Sequence, residues 1–105
     1  MNDRELLELA AKAARMESLC WSKQNHGDRA WDPLFDDGDA LRLAVKLGID
    51  LMFGLQMLDG VSCMTAMFPL ADDWDAVSEP INDNLQAATR RAIVRAAAEI
   101  GKGMP

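Results

Sequence analysis

The sequence predicts a single α+β domain over residues 1–105, with three helices packed on a small antiparallel sheet. Two segments near the ends repeat apolar residues at helical spacing, and a third such segment lies before the centre. Between the second and third helical segments, residues 49–68 read as two strands around the turn pair Asp59-Gly60. The predicted order is helix, short β segment, helix, hairpin, helix.

The first helix is expected over residues 3–17. Asn2 and Glu5 have the spacing of a capping box. One face is apolar and is predicted to be buried: Leu6, Leu9, Ala10, Ala13 and Met16.

The second helix is expected to begin near Asp36 or Asp37, after a short strand or an anchored loop in residues 18–35. With Asp36 as N-cap, the carboxylate of Asp39 also meets the positive end of the helix. Few residues between here and the stop at Gly48 are polar, so the helix is expected to be largely buried.

The central hairpin, residues 49–68, has a predicted register. A two-residue loop at Asp59-Gly60 places Leu58 opposite Val61 and, further out, Leu51 opposite Phe68. One face of this hairpin is apolar and should meet the helices. The other face is mixed, and we expect it to be partly solvated or covered by another element.

Residues 69–80 are expected to form a loop, followed by a third helix over residues 83–101 that is capped by Asn82 or Asp83. Gly101 and Gly103 are expected to end this helix. Its buried stripe is predicted to comprise Leu85, Ala88, Ala92, Ile93, Ala96 and Ile100.

Charge is distributed unevenly along the chain, which has a net charge of −6. Residues 31–85 contain eleven acidic and two basic residues, whereas residues 86–105 contain one acidic and four basic residues. This acidic centre repels phosphates, so nucleic acid is an unfavourable partner and a protein with a basic surface is a favourable one.

The location expected from the sequence is the cytoplasm. No apolar run approaches the length of a membrane span, and the charged start of the chain does not resemble a signal peptide. Cys20 and Cys63 lack metal-ligand spacing, and we expect both to be buried thiols.

An acidic segment around a tryptophan is the leading candidate for partner binding. Its residues are Asp72, Asp73, Trp74 and Asp75, and Asp36 and Asp37 are further contact candidates. Tryptophan is enriched at interface hot spots, and loops carry many binding residues. The alternative is that Trp74 folds back over the mixed face of the hairpin.

The residue pattern predicts no enzyme, no cofactor and no metal site. His26 is the only histidine, and no nucleophile can be paired with it from sequence. The acids at Asp36, Asp37 and Asp39 lack the spacing of a calcium loop, and helix capping explains two of them.

Two further features have open interpretations. Arg91 and Arg95 lie one helical turn apart and are an alternative site for a phosphate or carboxylate ligand, although a solvated face with an Arg95–Glu99 pair is favoured. The methionine-rich hairpin has Met52 and Met67 on its mixed face. An exposed strip there, or strand pairing at the hairpin edge, would give a homodimer.

Two stretches of the sequence resemble the NinX-like, or phage ABA-sandwich, family of small phage and prophage proteins. The first contains Trp31-Asp32-Pro33-Leu34 and runs through Asp36 to Val45, and the second is Thr89 to Ile93. The resemblance implies a helix–sheet–helix sandwich and a phage or prophage origin, and it implies no catalytic residues.

These observations lead to one functional hypothesis. The chain is expected to be a non-enzymatic phage accessory protein that binds a host protein in the bacterial cytoplasm, for example as an inhibitor of a host defence system such as an anti-CRISPR protein. The alternatives are a module that binds a small phosphorylated ligand and a homodimeric structural accessory protein.

Overall fold

Three helices and a three-stranded antiparallel sheet make up the described part of the fold. The computed structural model describes residues 2–15, 31–58, 61–70 and 73–104. The elements are α1 (Asp3–Ala13), α2 (Asp37–Leu47), β1 (Asp50–Leu58), β2 (Val61–Leu70), β3 (Asp73–Pro80) and α3 (Leu85–Lys102). The α+β class is confirmed, but the order is α-α-β-β-β-α rather than the predicted one.

Helix α1 begins as predicted and ends early. The side chain of Asn2 accepts a hydrogen bond from the Glu5 amide, which satisfies one of the free donors of the first turn. The predicted end at residue 17 is wrong because Arg15 has a φ of 58°, a left-handed conformation that cannot continue a helix. Met16 and the residues up to 30, including Cys20 and His26, lie outside the described residues.

The segment before α2 is an anchored loop. Trp31 and Leu34 are buried, and the amides of Phe35 and Asp36 both donate to the carbonyl of Asp32. Asp36 is the N-cap of α2, and Gly48 ends the helix with a φ of 68°, as glycine readily does. Both boundaries confirm the sequence prediction.

Burial of α2 is less complete than predicted. Ala40, Leu43 and Ala44 face the core, whereas Leu41 and Val45 are 61% and 74% exposed. An 11-residue helix has room for only one packed face, and here that face meets α3.

The hairpin register is correct near the turn and wrong further out. Leu58 pairs with Val61 and Met57 with Ser62, as predicted. Between Phe53 and Met57 the register shifts by two residues, so that Leu51 pairs with Ala66 instead of Phe68. A β-bulge of this kind inserts residues into one strand only, and hydrophobic alternation does not reveal it.

Residues 73–80 form strand β3, which corrects the predicted loop. This strand pairs antiparallel with β2 along its whole length, from Asp73 opposite Leu70 to Pro80 opposite Cys63. The sheet order is β1-β2-β3. The sequence of β3 is acidic and ends in proline, so its composition resembles a loop although the pairing with β2 makes it a strand.

Helix α3 is the central helix of the fold. It packs on β2 and β3 and is flanked by α1 and α2, so the prediction that all three helices pack on the sheet is only partly correct. The helix begins at Leu85 with Asn84 as N-cap, two residues later than expected, and Gly101 lies inside it. Leu85 is 40% exposed, contrary to its predicted place in the buried stripe.

The core lies between α3 and one face of the sheet. Met64, Ala66 and Phe68 of β2 are buried there, as predicted, but Leu51 and Phe53 of β1 are exposed. Much of the remaining core is alanine, which lets helices approach closely: Ala10, Ala11, Ala14, Ala40, Ala44, Ala92, Ala96, Ala97 and Ala98.

Candidate functional site

The direction of the backbone groups in β3 determines which of them face outward. The Ile81 amide donates to the Ser62 carbonyl. In an antiparallel ladder the amide and carbonyl of one residue point the same way, and successive residues alternate. Odd-numbered residues of β3 therefore bond to β2, and the backbone groups of Trp74, Ala76 and Ser78 point away from the sheet.

Two outward amides and one outward carbonyl of β3 are occupied by neighbouring side chains. Asp73 Oδ1 accepts from the Trp74 amide and Asp75 Oδ1 accepts from the Ala76 amide, each at 2.8 Å. Nη1 of Arg95 donates to the Ser78 carbonyl at 3.1 Å. Pro80 has no amide hydrogen. This edge is consequently protected against the addition of another strand.

Trp74 lies on the mixed face of the sheet and is 52% exposed. It stands opposite Pro69, next to the pair formed by Ala76 and Met67. Pro69 and Ala76 are exposed as well, so this end of the face is apolar. Trp74 therefore stands on the mixed face as a residue of strand β3, and half of its side chain contacts water.

The acidic residues around Trp74 form a rim. Strand alternation turns the side chains of Asp73 and Asp75 towards the face opposite Trp74, although both lie at the exposed edge and are exposed. Asp50, across the sheet on β1, is exposed and shares the face of Trp74 through its pairing with Met67. Asp72 lies outside the described residues.

The other two acidic candidates lie on α2, away from this edge. Asp36 caps the helix by accepting from the Asp39 amide at 2.9 Å. Asp37 is mostly exposed and accepts from Nη1 of Arg90 at 2.6 Å. The predicted contact residues that the structure describes therefore do not form one continuous surface, because α2 packs against α3 and not against β3.

Asp39 is a fully buried acid with structural partners. Its Oδ2 accepts from the Asp32 amide at 2.9 Å, and its Oδ1 accepts from Nη2 of Arg42 at 2.8 Å. Within the described ranges, no group of three His, Cys, Asp or Glu side chains is placed to hold a metal ion.

Arg91 and Arg95 are both engaged by acidic side chains. Arg95 donates to Oε2 of Glu79 at 2.6 Å, and Nε of Arg91 lies 3.5 Å from Oε1 of the same residue. Arg91 also donates to Asp3 at 3.0 Å. Glu79 therefore occupies the place that an anionic ligand would take. Glu99, the favoured partner of Arg95, pairs with Lys102.

An apolar groove of about 280 Å³ was missed by the sequence analysis. It lies between α2, α3 and β1, and its lining includes Leu41, Leu51, Leu85 and Ile93. The sequence signal for an exposed apolar site was the pair Leu41 and Val45, which lie one turn apart on the face of α2 opposite Leu43. A short helix with two apolar faces can pack only one of them, so the second is left for another contact.

The predictions for the buried cysteine and for the exposed methionines have different outcomes. Cys63 is a buried thiol, as expected. Met52 is 37% exposed and Met67 is half-buried, whereas the side chains of Leu58 and Val61 lie outside the described part. No helix in the described ranges is both long and apolar enough to cross a membrane.

Comparison of the chain with protein-family models, with curated proteins and with solved structures gave no match. The resemblance to NinX-like proteins therefore remains a prediction from the residues quoted above.

Proposed function

We propose that this chain is a non-enzymatic accessory protein that binds another protein through the surface around Trp74. This surface, here called the Trp74 surface, comprises Trp74, Pro69 and Ala76, with Asp50 on the same face and Asp75 at the outer edge of β3. The exposure of Trp74, 52% on a regular strand, is the observation that carries the proposal. A large exposed aromatic side chain within a polar rim is a common arrangement of interface hot spots.

The acidic rim favours a basic partner. The chain carries a net charge of −6, and the acids around Trp74 add a local negative field that attracts a basic surface and repels nucleic acid. Because two outward amides of β3 are occupied and Pro80 has none, the partner is expected to contact side chains and not to add a strand at this edge.

The resemblance to NinX-like proteins supports a phage or prophage setting for this proposal. In that setting the partner is a bacterial host protein, and inhibition of a defence system such as CRISPR is one outcome of occupying its basic, nucleic-acid-binding surface. The alternative small-ligand site at Arg91 and Arg95 receives less support, because both guanidinium groups already pair with acids, Arg95 with Glu79 and Arg91 with Glu79 and Asp3.

Capture from bacterial lysate tests the proposal. Tagged wild-type chain and two variants, Trp74→Ala and Val45→Ala, are immobilised, and bound proteins are identified by mass spectrometry at low and high salt. Val45 is 74% exposed on α2, far from the Trp74 surface, so its variant is the matched control.

The expected result is one basic protein that binds wild type and Val45→Ala and is released by salt. Trp74→Ala should lower its affinity at least about 30-fold, the loss of a hot-spot side chain. Equal capture by wild type and Trp74→Ala would exclude the Trp74 surface as the contact.

A further inference from the structure

The outer edge of β1 differs from that of β3. The even-numbered residues of β2 bond to β3, so its odd-numbered residues bond to β1. Asp50 and Met52 pair with Met67 and Thr65 and therefore turn their backbone groups towards β2. The backbone groups of Leu51 and Phe53 consequently point away from the sheet. Among the described residues, none bonds to these groups. The side chains of Leu51 and Phe53 are 39% and 66% exposed, so the edge is accessible.

We infer that β1 pairs with the β1 strand of a second copy of this chain, which joins two three-stranded sheets into one of six strands. A two-fold axis at Met52 places Leu51 of one copy opposite Phe53 of the other. Both residues have outward backbone groups, so each of the two resulting pairs exchanges two hydrogen bonds.

The groove supplies a place for the partner's aromatic ring. Leu51 lines it together with Leu41 and Leu85, and side chains of directly opposed residues lie on the same face of a sheet. Phe53 of the partner subunit therefore comes next to Leu51 at the mouth of the 280 Å³ groove, which is large enough for a phenyl ring. Each copy completes the groove of the other.

Charge is compatible with this pairing. In the two-fold register Asp50 stands opposite residue 54 of the second copy, a glycine, and not opposite its own carboxylate. Like charges directly opposite each other destabilise a strand pair, and this register brings no two such charges together.

Apolar side chains next to the outer edge of β1 add to the contact. Leu41, Leu51 and Leu85 line the groove, Phe53 lies on the same face of β1 as Leu51, and all four are exposed.

The protected edge of β3 explains why association stops at two. Pairing of two β1 strands leaves only β3 strands at the ends of the joined sheet. There Asp73 and Asp75 occupy outward amides and Pro80 lacks one, so no further strand adds. The bulge after Phe53 also limits the paired run to a short segment around the axis.

Sedimentation of the full chain tests the dimer. Wild type is expected to sediment at twice its 11.5 kDa mass at concentrations on the order of 10–100 μM. Phe53→Lys, a charge on an exposed edge position, should raise the dimer dissociation constant at least about 30-fold. Wild type that stays monomeric over this range, or a dimer unaffected by Phe53→Lys, overturns the inference.

A disulfide test examines the register without disturbing the fold. At a two-fold axis Met52 faces itself in a non-hydrogen-bonded pair, with Cα atoms about 4.5 Å apart, a separation that a disulfide can span. In a Cys20→Ser background, Met52→Cys should form an interchain disulfide on mild oxidation, whereas Leu51→Cys should not. Equal crosslinking of the two variants, or none by Met52→Cys, contradicts this register.

The dimer and the Trp74 surface are separable because Phe53 and Trp74 lie on different edge strands and on opposite faces of the sheet. Trp74→Ala is expected to dimerise as wild type does, and Phe53→Lys is expected to retain the captured partner. Each proposal can therefore fail while the other stands.

Discussion

Single residues set how closely the helices of this fold approach each other. Gly101 lies on the buried face of α3, and a β-carbon placed there would overlap the carbonyl oxygen of Leu9 on α1. The obstacle is backbone, which cannot rotate away as a side chain can. The crossing of α1 and α3 therefore depends on the absence of a side chain at this position.

Gly101→Ala is expected to destabilise the protein by about 2–4 kcal/mol despite the better helix propensity of alanine, because the two helices must separate. Urea unfolding followed by circular dichroism measures the effect. Gly103→Ala is the matched control: Gly103 has a φ of −81° and the new carbon would meet only ordinary van der Waals contacts, so its effect should stay within about 0.5 kcal/mol. Equal losses for the two variants would show that close approach at Gly101 is unimportant.

At the scale of elements, the two edge strands are built differently. Strand β3 binds its own outward amides with aspartate side chains, whereas β1 exposes two apolar residues and free backbone groups within the described part. Asp73 and Asp75, proposed from sequence as contact residues, thus also bind the outward amides of their own strand. Their carboxylates prevent association at one edge of the sheet.

The double variant Asp73→Ala/Asp75→Ala is expected to aggregate, because it exposes two amides on an edge with few charges left. Static light scattering over hours at high protein concentration measures this. Asp73→Asn/Asp75→Asn removes the same charge and keeps an acceptor oxygen, so it should remain closer to wild type. If the asparagine variant aggregates as fast as the alanine variant, repulsion between charges and not amide capping protects the edge.

At the scale of the whole molecule, Glu79 connects three elements. It lies on β3, is mostly buried, and accepts from Arg95 and contacts Arg91 on α3, while Arg91 also reaches Asp3 on α1. A shared, partly buried acid of this kind differs from an isolated surface pair, because its removal leaves two cations close together.

Glu79→Ala is therefore expected to lower the free energy of unfolding by about 1–2 kcal/mol, with a smaller loss at high salt because screening weakens the repulsion between the two arginines. Urea unfolding at low and high ionic strength measures it. Glu8→Ala, which removes an exposed pair with Arg4 on α1, should cost less than about 0.5 kcal/mol. A loss for Glu79→Ala no greater than that for Glu8→Ala would show that the connection adds nothing to stability.

The sequence by itself determined the caps, helix ends and turn pairing that depend only on residues close together along the chain. The cap at Asn2, the start of α2 at Asp36 and its end at Gly48 follow from local hydrogen bonds and backbone preferences, and the pairing of Leu58 with Val61 follows from a two-residue turn. The exposure of Trp74 and the existence of β3 were not accessible in this way.

Only the tertiary structure decided which surfaces are available for binding. An acidic segment becomes strand β3 because β2 offers it a ladder of hydrogen bonds, and that pairing places Trp74 and its two aspartates on opposite faces. Likewise α3 can cover only one face of α2, which leaves Leu41 at the groove beside β1 and Val45 exposed to water. Local patterns fix where elements begin and end, whereas the competition of elements for a small core fixes which apolar residues stay exposed.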